Sequence, residues 1–149
     1  MSRLSLLNAS ILGLSLLALS AGNAGASEYS LSVDRVKVDT GDFTRMGIGY
    51  NGKTPGPVLR FKEGEDVTIN VTNNLNESTS IHWHGLILPY QQDGVPGISY
   101  DGIDPGETFT YRFPIVQSGT YWFHSHTGFQ EPDGAFGAIV IEPKKREPF

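Results

Sequence analysis

Cysteine is absent from the 149-residue sequence. This absence excludes disulfide bonds, thiolate nucleophiles and metal sites built on thiolate ligands. Basic residues are also few, because 11 Lys and Arg stand against 16 Asp and Glu and leave a formal net charge of −5. Nucleic acid requires a basic face for its phosphates, so we expect no nucleic-acid partner.

An apolar run long enough to span a bilayer is also missing from the sequence. A shorter apolar run lies near the amino terminus. Residues 11–19 form an apolar run behind Arg3 that is too short to span a bilayer as an anchor. The small residues at 24–26 fit a signal-peptide cleavage site. We therefore expect residues 1–26 to be a cleaved signal peptide, with a retained membrane anchor as the alternative. The mature chain would then be periplasmic or secreted, with no membrane association after cleavage.

Helical periodicity is missing from the remaining chain, and the 18 Gly and 9 Pro of the full sequence indicate frequent turns. Short segments with apolar alternation or a buried apolar run predict strands. These segments are 29–33, 58–61, 67–71, 80–83, 109–113, 119–124 and 138–141. A bulge near Asp34 and Arg35 would explain why Val36 and Val38 fall out of phase with the first strand. The pattern predicts an all-β fold, an antiparallel Greek-key sandwich or barrel of seven to eight strands.

All four histidines fall into two His-x-His units, His82 with His84 and His124 with His126. Residues i and i+2 of a strand share a face, about 6.5–7 Å apart at the backbone, so each pair suits two adjacent ions better than one. If the two strands are neighbours, four imidazoles converge. An all-imidazole set favours copper, zinc, iron or nickel, and copper binds such ligands most tightly. One such unit would be compatible with chance or core packing, but two units that use every histidine indicate a metal site.

Three longer motifs surround these histidines: HWHG at 82–85, DGVPG at 93–97 and GTYWFHSH at 119–126. Together they resemble the first cupredoxin (plastocyanin-like) domain of the three-domain multicopper oxidases. The segment SGTYWFHSHTGFQE at 118–131 is most similar to the corresponding segment of the bacterial periplasmic copper-resistance branch, near laccases and ascorbate oxidases. The resemblance implies a cupredoxin-like domain over residues 27–143. Residues 144–149 would be a tail or the start of an interdomain linker.

The resemblance also implies a role for each histidine. His82 would ligate the type 2 copper of the family's trinuclear cluster. His84 and His124 would ligate one type 3 copper, and His126 would ligate the other. Dioxygen would be the electron acceptor of the complete assembly.

Asp93 matches a carboxylate that, in the family, orients water and helps to deliver protons to dioxygen. Reduction of dioxygen to water requires four protons, so a carboxylate beside the cluster is chemically reasonable. The alternative is that Asp93 is only a turn residue before Gly94.

The sequence contains only part of the copper ligands that the family requires. The family's cluster needs eight histidines, whereas this sequence offers four, and the type 1 copper requires a cysteine thiolate that this sequence does not contain. We therefore expect half of an oxygen-reducing site and no activity from the domain alone, so the sequence leaves open whether the domain is an enzyme. One alternative is a non-catalytic periplasmic copper-binding or buffering module. Another is assembly, either as a homo-oligomer that pools histidines or with further cupredoxin domains.

Overall fold

The computed structural model describes residues 27–145, and its regular structure is almost entirely β. The strands are β1 Ser27–Asp39, β2 Thr44–Tyr50, β3 Leu59–Lys62, β4 Asp66–Asn73, β5 His82–His84, β6 Thr108–Pro114, β7 Gly119–His124 and β8 Phe136–Glu142. One short 3-10 turn covers Tyr90–Gln92. The prediction of an all-β fold with seven to eight strands is confirmed. The predicted signal peptide, residues 1–26, lies outside the described residues.

Two four-stranded sheets face each other across the core. The strand order is β2-β1-β4-β6 in one sheet and β3-β8-β7-β5 in the other. The prediction of purely antiparallel pairing is wrong, because β1 pairs with β4, and β3 with β8, in parallel. Parallel neighbours need long crossover connections, and here the chain makes each crossover by visiting the opposite sheet between the two strands.

Within the described chain, no helix has the length and apolar character needed to cross a membrane.

The long first strand behaves differently from its prediction. Its register with β2 runs without a break from Val33 to Asp39, so the predicted bulge at Asp34 and Arg35 is absent. The apolar phase changes because β1 leaves β4 at Val33 and continues along β2 alone. Val36 is buried on the other face of this ribbon, against Gly49, which leaves room for it. The sequence TRMGIGY of β2 was not predicted as a strand, because its two glycines weaken the β signal.

The core between the sheets is aromatic at its centre, below the two histidine pairs. Trp83 is fully buried, and its ring centroid lies 5.1 Å from that of Tyr111 and 5.9 Å from that of Phe123. Because alternate residues of a strand point to opposite faces, burial of Trp83 directs His82 and His84 away from the core. The packing of one tryptophan therefore sets the orientation of the first histidine pair.

Candidate metal centre

The strands β5 and β7 pair in antiparallel fashion and carry three of the four histidines. Their register places His82 opposite His124 and His84 opposite Trp122. His126 lies two residues beyond the end of β7. The predicted strand at 80–83 is shorter and later than expected, since β5 covers only His82–His84. This pairing is the element of the fold that brings the two distant sequence motifs into one place.

The four imidazole rings form one cluster. The His82 ring centroid lies 5.6 Å from that of His84, 5.4 Å from that of His124 and 5.6 Å from that of His126. The ring of His124 lies 5.5 Å from that of His84 and 5.9 Å from that of His126. Each ring is therefore within contact range of at least one ring from the other motif, as the neighbouring-strand hypothesis required.

The potential ligand atoms are closer than the rings. One ring nitrogen each from His82, His84 and His124 lie within 4.8 Å of one another. The Nδ1 atom of His84 is 3.3 Å from Nε2 of His124. Three converging nitrogens within one chain are a plausible donor set for a transition metal, and imidazole suits copper. His126 stays at the rim of this group of three and is exposed to solvent.

Hydrogen bonds orient the two histidines that face each other. Asp93 places its carbonyl oxygen 2.8 Å, and its carboxylate Oδ1 3.4 Å, from Nδ1 of His82. The Nδ1 atom of His124 lies 2.9 Å from the carbonyl oxygen of Ser125 and 2.9 Å from Oε2 of Glu131. The two carbonyl oxygens accept hydrogen bonds here, so each Nδ1 carries the proton in the neutral ring and donates it to a carbonyl. The Nε2 lone pair of each ring is thereby left for a metal ion, as is usual for metal-binding histidines.

Glu131 is a site residue that the sequence analysis did not single out. It is the last residue of the segment 118–131 quoted above and follows His124 by seven residues in a segment of turns, but the sequence assigned it no role. Its contact depends on the path of the chain between β7 and β8. Asp93, which the sequence analysis did name, lies with its Oδ1 3.4 Å from Nδ1 of His82.

Burial lowers the pKa of His124, whose residue surface is only 5% exposed. The carbonyl of Ser125 and the carboxylate of Glu131 oppose this change, and the neighbouring His82 and His84 reinforce it. The net direction is downward, so the neutral ring is favoured at neutral pH. Only a neutral imidazole can offer its lone pair to a metal ion.

A buried polar network holds the second histidine pair against the first. The side chain of Gln130 is buried, and its Oε1 accepts hydrogen bonds from Thr79 Oγ1 at 2.7 Å and from Ser125 Oγ at 2.8 Å. The backbone N–H of His126 donates to Ser80 Oγ at 2.8 Å. Residues 79 and 80 precede β5, whereas residues 125, 126 and 130 follow β7. The hydroxyl groups therefore join the segments that carry the two histidine pairs.

Trp122 covers one side of the cluster. Its ring stacks on His124, with centroids 4.2 Å apart and planes 23° apart, and lies 5.0 Å from the ring of His84. Phe123, the next residue, is fully buried in the core. Trp83, Trp122 and Phe123 thus pack beside and beneath the histidine cluster.

A glycine allows the loop that carries Asp93 to approach β5 closely. Gly94 has φ of 79°, and a Cβ atom at this position would lie 1.7 Å from the carbonyl oxygen of Ile81. Any side chain would therefore push the loop away from the strand. Asp93 reaches His82 because its neighbour has no side chain.

Comparison with known proteins agrees with this architecture. The sequence profile of the multicopper oxidase family matches residues 32–146. Copper resistance protein A of Escherichia coli is 48% identical over 129 residues, which cover 87% of this chain and 21% of that protein. Copper resistance protein A of Pseudomonas syringae pv. tomato is 51% identical over 123 residues, which cover 83% of this chain and 20% of that protein.

A solved structure has the same fold. The multi-copper oxidase from Pseudomonas thermotolerans superimposes with a TM-score of 0.79 and 33% sequence identity, over 85% of this chain and 32% of that one. The chain spans about a fifth of the length of the curated relatives it matches. The resemblance inferred from the sequence motifs is confirmed, and the chain belongs to the multicopper oxidase family.

Proposed function

We propose that this chain is a copper-binding domain that supplies half of a trinuclear oxygen-reducing cluster. The observation that carries the proposal is the convergence of nitrogens from His82, His84 and His124 within 4.8 Å of one another. The donor set fits copper because it is made entirely of imidazole. One of its rings, His124, is buried, and hydrogen bonds at Nδ1 orient His82 and His124. In this proposal His126 is the fourth ligand, for a second position at the rim.

The contacts between the rings support the assignment of individual histidines. The 3.3 Å approach of His84 Nδ1 to His124 Nε2 suits two ligands of the same type 3 copper. His82 would serve the type 2 copper, and His126 the other type 3 copper. Two facing lone pairs at this distance repel each other, unless a proton or a cation lies against them. A proton on His84 Nδ1 would meet this requirement in the metal-free chain, and copper would replace it.

The chain's own groups would prepare the site in two ways. Backbone carbonyl oxygens accept the Nδ1 protons of His82 and His124, so that their Nε2 atoms do not need to reorient when a metal ion arrives. Trp122 restricts access of water to one side of His124 through its stacked ring. Both effects lower the reorganisation required for binding.

We assign to Asp93 the handling of protons. The chemistry that copper supplies in this family is the four-electron reduction of dioxygen to water, which consumes four protons. The Asp93 side chain is 36% exposed and lies beside His82. It therefore contacts solvent on one side and the cluster on the other, which is the position that a proton-transferring carboxylate requires.

The domain alone lacks a route for electrons. A type 1 copper site requires a cysteine thiolate, and the sequence contains no cysteine. The remaining imidazoles and the electron entry site would come from further cupredoxin domains. We propose that residues 27–143 form this domain after removal of residues 1–26, and that the domain functions in the periplasm or outside the cell. On its own it would bind copper without oxidising substrates.

A non-catalytic copper-binding or buffering module is the second candidate. The same geometry favours it, since three nitrogens within one chain suffice to retain one copper ion without a partner. The two candidates differ in what happens when the missing domains are supplied. A buffering module gains no activity, whereas half of a cluster becomes competent for oxygen reduction.

Native mass spectrometry during a copper titration tests the proposal. Oxygen consumption with a phenolic or cuprous donor is then measured for the chain alone and after mixing with the remaining domains of a relative. Copper uptake without turnover, followed by turnover in the mixture, would support half of a cluster. Uptake with no turnover in either case would favour the buffering module. Turnover by the isolated monomer, or no uptake, would contradict the proposal.

A further inference from the structure

His124 has a carboxylate partner that is separate from Asp93. The Oε2 atom of Glu131 lies 2.9 Å from Nδ1 of His124, whose side chain is 7% exposed, whereas the Glu131 side chain is 41% exposed. The Oδ1 atom of Asp93 lies 3.4 Å from Nδ1 of His82. The two histidines that face each other across β5 and β7 thus each meet a carboxylate, and the contact made by Glu131 is the shorter one.

The backbone of Glu131 is fixed by the structure around it. Its carbonyl oxygen accepts a hydrogen bond from the N–H of Gly134 at 2.9 Å. The preceding residue, Gln130, is buried and accepts a backbone hydrogen bond from the N–H of Ala135 at 2.9 Å. A side chain on such an anchored segment loses less conformational freedom when it contacts a neighbour.

We propose that Glu131 is a positioning residue for the metal centre. Its carboxylate lies 2.9 Å from Nδ1 of His124, beside the proton that this nitrogen donates to the carbonyl of Ser125. The negative charge attracts this N–H group and holds the ring so that Nε2 faces the other imidazoles. The inference deepens the proposed function and rests on it for its effect on copper. The contact itself exists in the metal-free chain and is testable there.

The charge of the carboxylate gives this contact an effect that a carbonyl alone does not have. The same Nδ1 proton also faces the carbonyl of Ser125 at 2.9 Å. The carboxylate places a negative charge beside this N–H, and the charge polarises the bond and draws the proton away from Nδ1. Electron density at Nε2 rises in consequence, so His124 becomes a better metal ligand. Pairs of this kind typically change metal affinity by about 10–100-fold.

The test compares Glu131→Ala, Glu131→Gln and a matched control, Glu77→Gln. Glu77 has a side chain of similar exposure, 47%, and is paired with Arg35 rather than with a histidine. Nitrogen-detected NMR of the metal-free chain reports the tautomer of His124 and the exchange rate of its Nδ1 proton. A competitive chelator titration with copper(II) reports affinity, and circular dichroism reports folding.

We expect wild type and E77Q to give the same Nδ1 signal and the same copper affinity. E131A should exchange this proton faster, shift its resonance upfield and bind copper about 10–100-fold more weakly. E131Q keeps a polar side chain without the charge, so its Nδ1 exchange, resonance and copper affinity should fall between those of wild type and E131A. If E131A does not fold, the comparison of E131Q with wild type tests the role of Glu131.

Nδ1 exchange, resonance and affinity equal to those of wild type in both Glu131 variants would overturn the inference. Failure of the proposed function has a different signature. Wild type would then take up no copper, while E131A would still alter the Nδ1 signal of His124.

Discussion

His82 and His124 lie directly opposite each other on β5 and β7, with ring centroids 5.4 Å apart and ring planes 80° apart. Each donates from Nδ1 to a backbone carbonyl oxygen, of Asp93 and Ser125 respectively. One cross-strand pair therefore holds two of the proposed ligand nitrogens in place without a metal ion. The remaining two histidines lie on either side of this pair.

Removal of two ligands from the group of three should abolish tight copper binding. We expect the double variant His84→Ala, His124→Ala to lose tight uptake, because only His82 would remain among the three converging nitrogens. The two positions lie outside the hydrophobic core cluster, so the sandwich should remain folded. Copper content is measured by elemental analysis after gel filtration. Thr120→Ala, an exposed change on β7, is the control. Unchanged stoichiometry in the double variant would refute the site.

The four histidines and their convergence were predictable from the sequence, because each pair sits in a long, specific motif. The contact of Glu131 with His124 was not predictable, because it arises from the turns that return the chain from β7 to β8. The bulge predicted in β1 was a wrong interpretation of a real change in the apolar pattern. A change of partner strand at Val33 mimics the phase slip of a bulge in the sequence.

Acid should weaken both copper binding and the metal-free fold. Imidazoles that hold a metal must be neutral, so copper uptake should decline below about pH 6. Binding that stays flat between about pH 7 and about pH 5 would argue against histidine ligands.

The metal-free fold should follow the pKa of His124, which burial lowers. The unfolded chain then binds a proton on this residue more readily than the folded chain. The resulting stability is present above the ordinary histidine pKa of about 6.5 and is lost as the pH falls through the lower, folded value. Urea unfolding at about pH 7.5 and about pH 5 should show a smaller loss for His124→Asn than for wild type. An equal loss in both would contradict this account of His124.

Gly94→Ala should release the Asp93 loop from β5, because the added Cβ would overlap the carbonyl oxygen of Ile81 at 1.7 Å. Gly97→Ala is the matched control. Gly97 also has a positive φ, 74°, but its Cβ would meet no atom within 4 Å. Both variants incur a backbone cost of about 1 kcal/mol, so the difference between them isolates the clash. Thermal unfolding should show a clearly larger loss for Gly94→Ala. Equal losses would show that the loop relaxes freely.

Trp83 should contribute strongly to the stability of the core beneath the histidine cluster. Trp83→Ala removes a fully buried ring packed against Tyr111 and Phe123, so we expect a loss of about 3–5 kcal/mol in the free energy of unfolding. Trp83→Phe should cost less, since it keeps a ring there. It also removes an indole N–H that has no hydrogen-bond partner within residues 27–145. Denaturant titration measures both variants, and equal losses would argue against packing as the cause.

Anomalous diffraction at the copper absorption edge, from crystals of the copper-loaded chain, tests the central claim most directly. The account predicts an anomalous peak within bonding distance of ring nitrogens of His82, His84 and His124, the group that converges in the metal-free chain. A copper-loaded crystal without a peak at these nitrogens, or with its copper bound elsewhere, would contradict it.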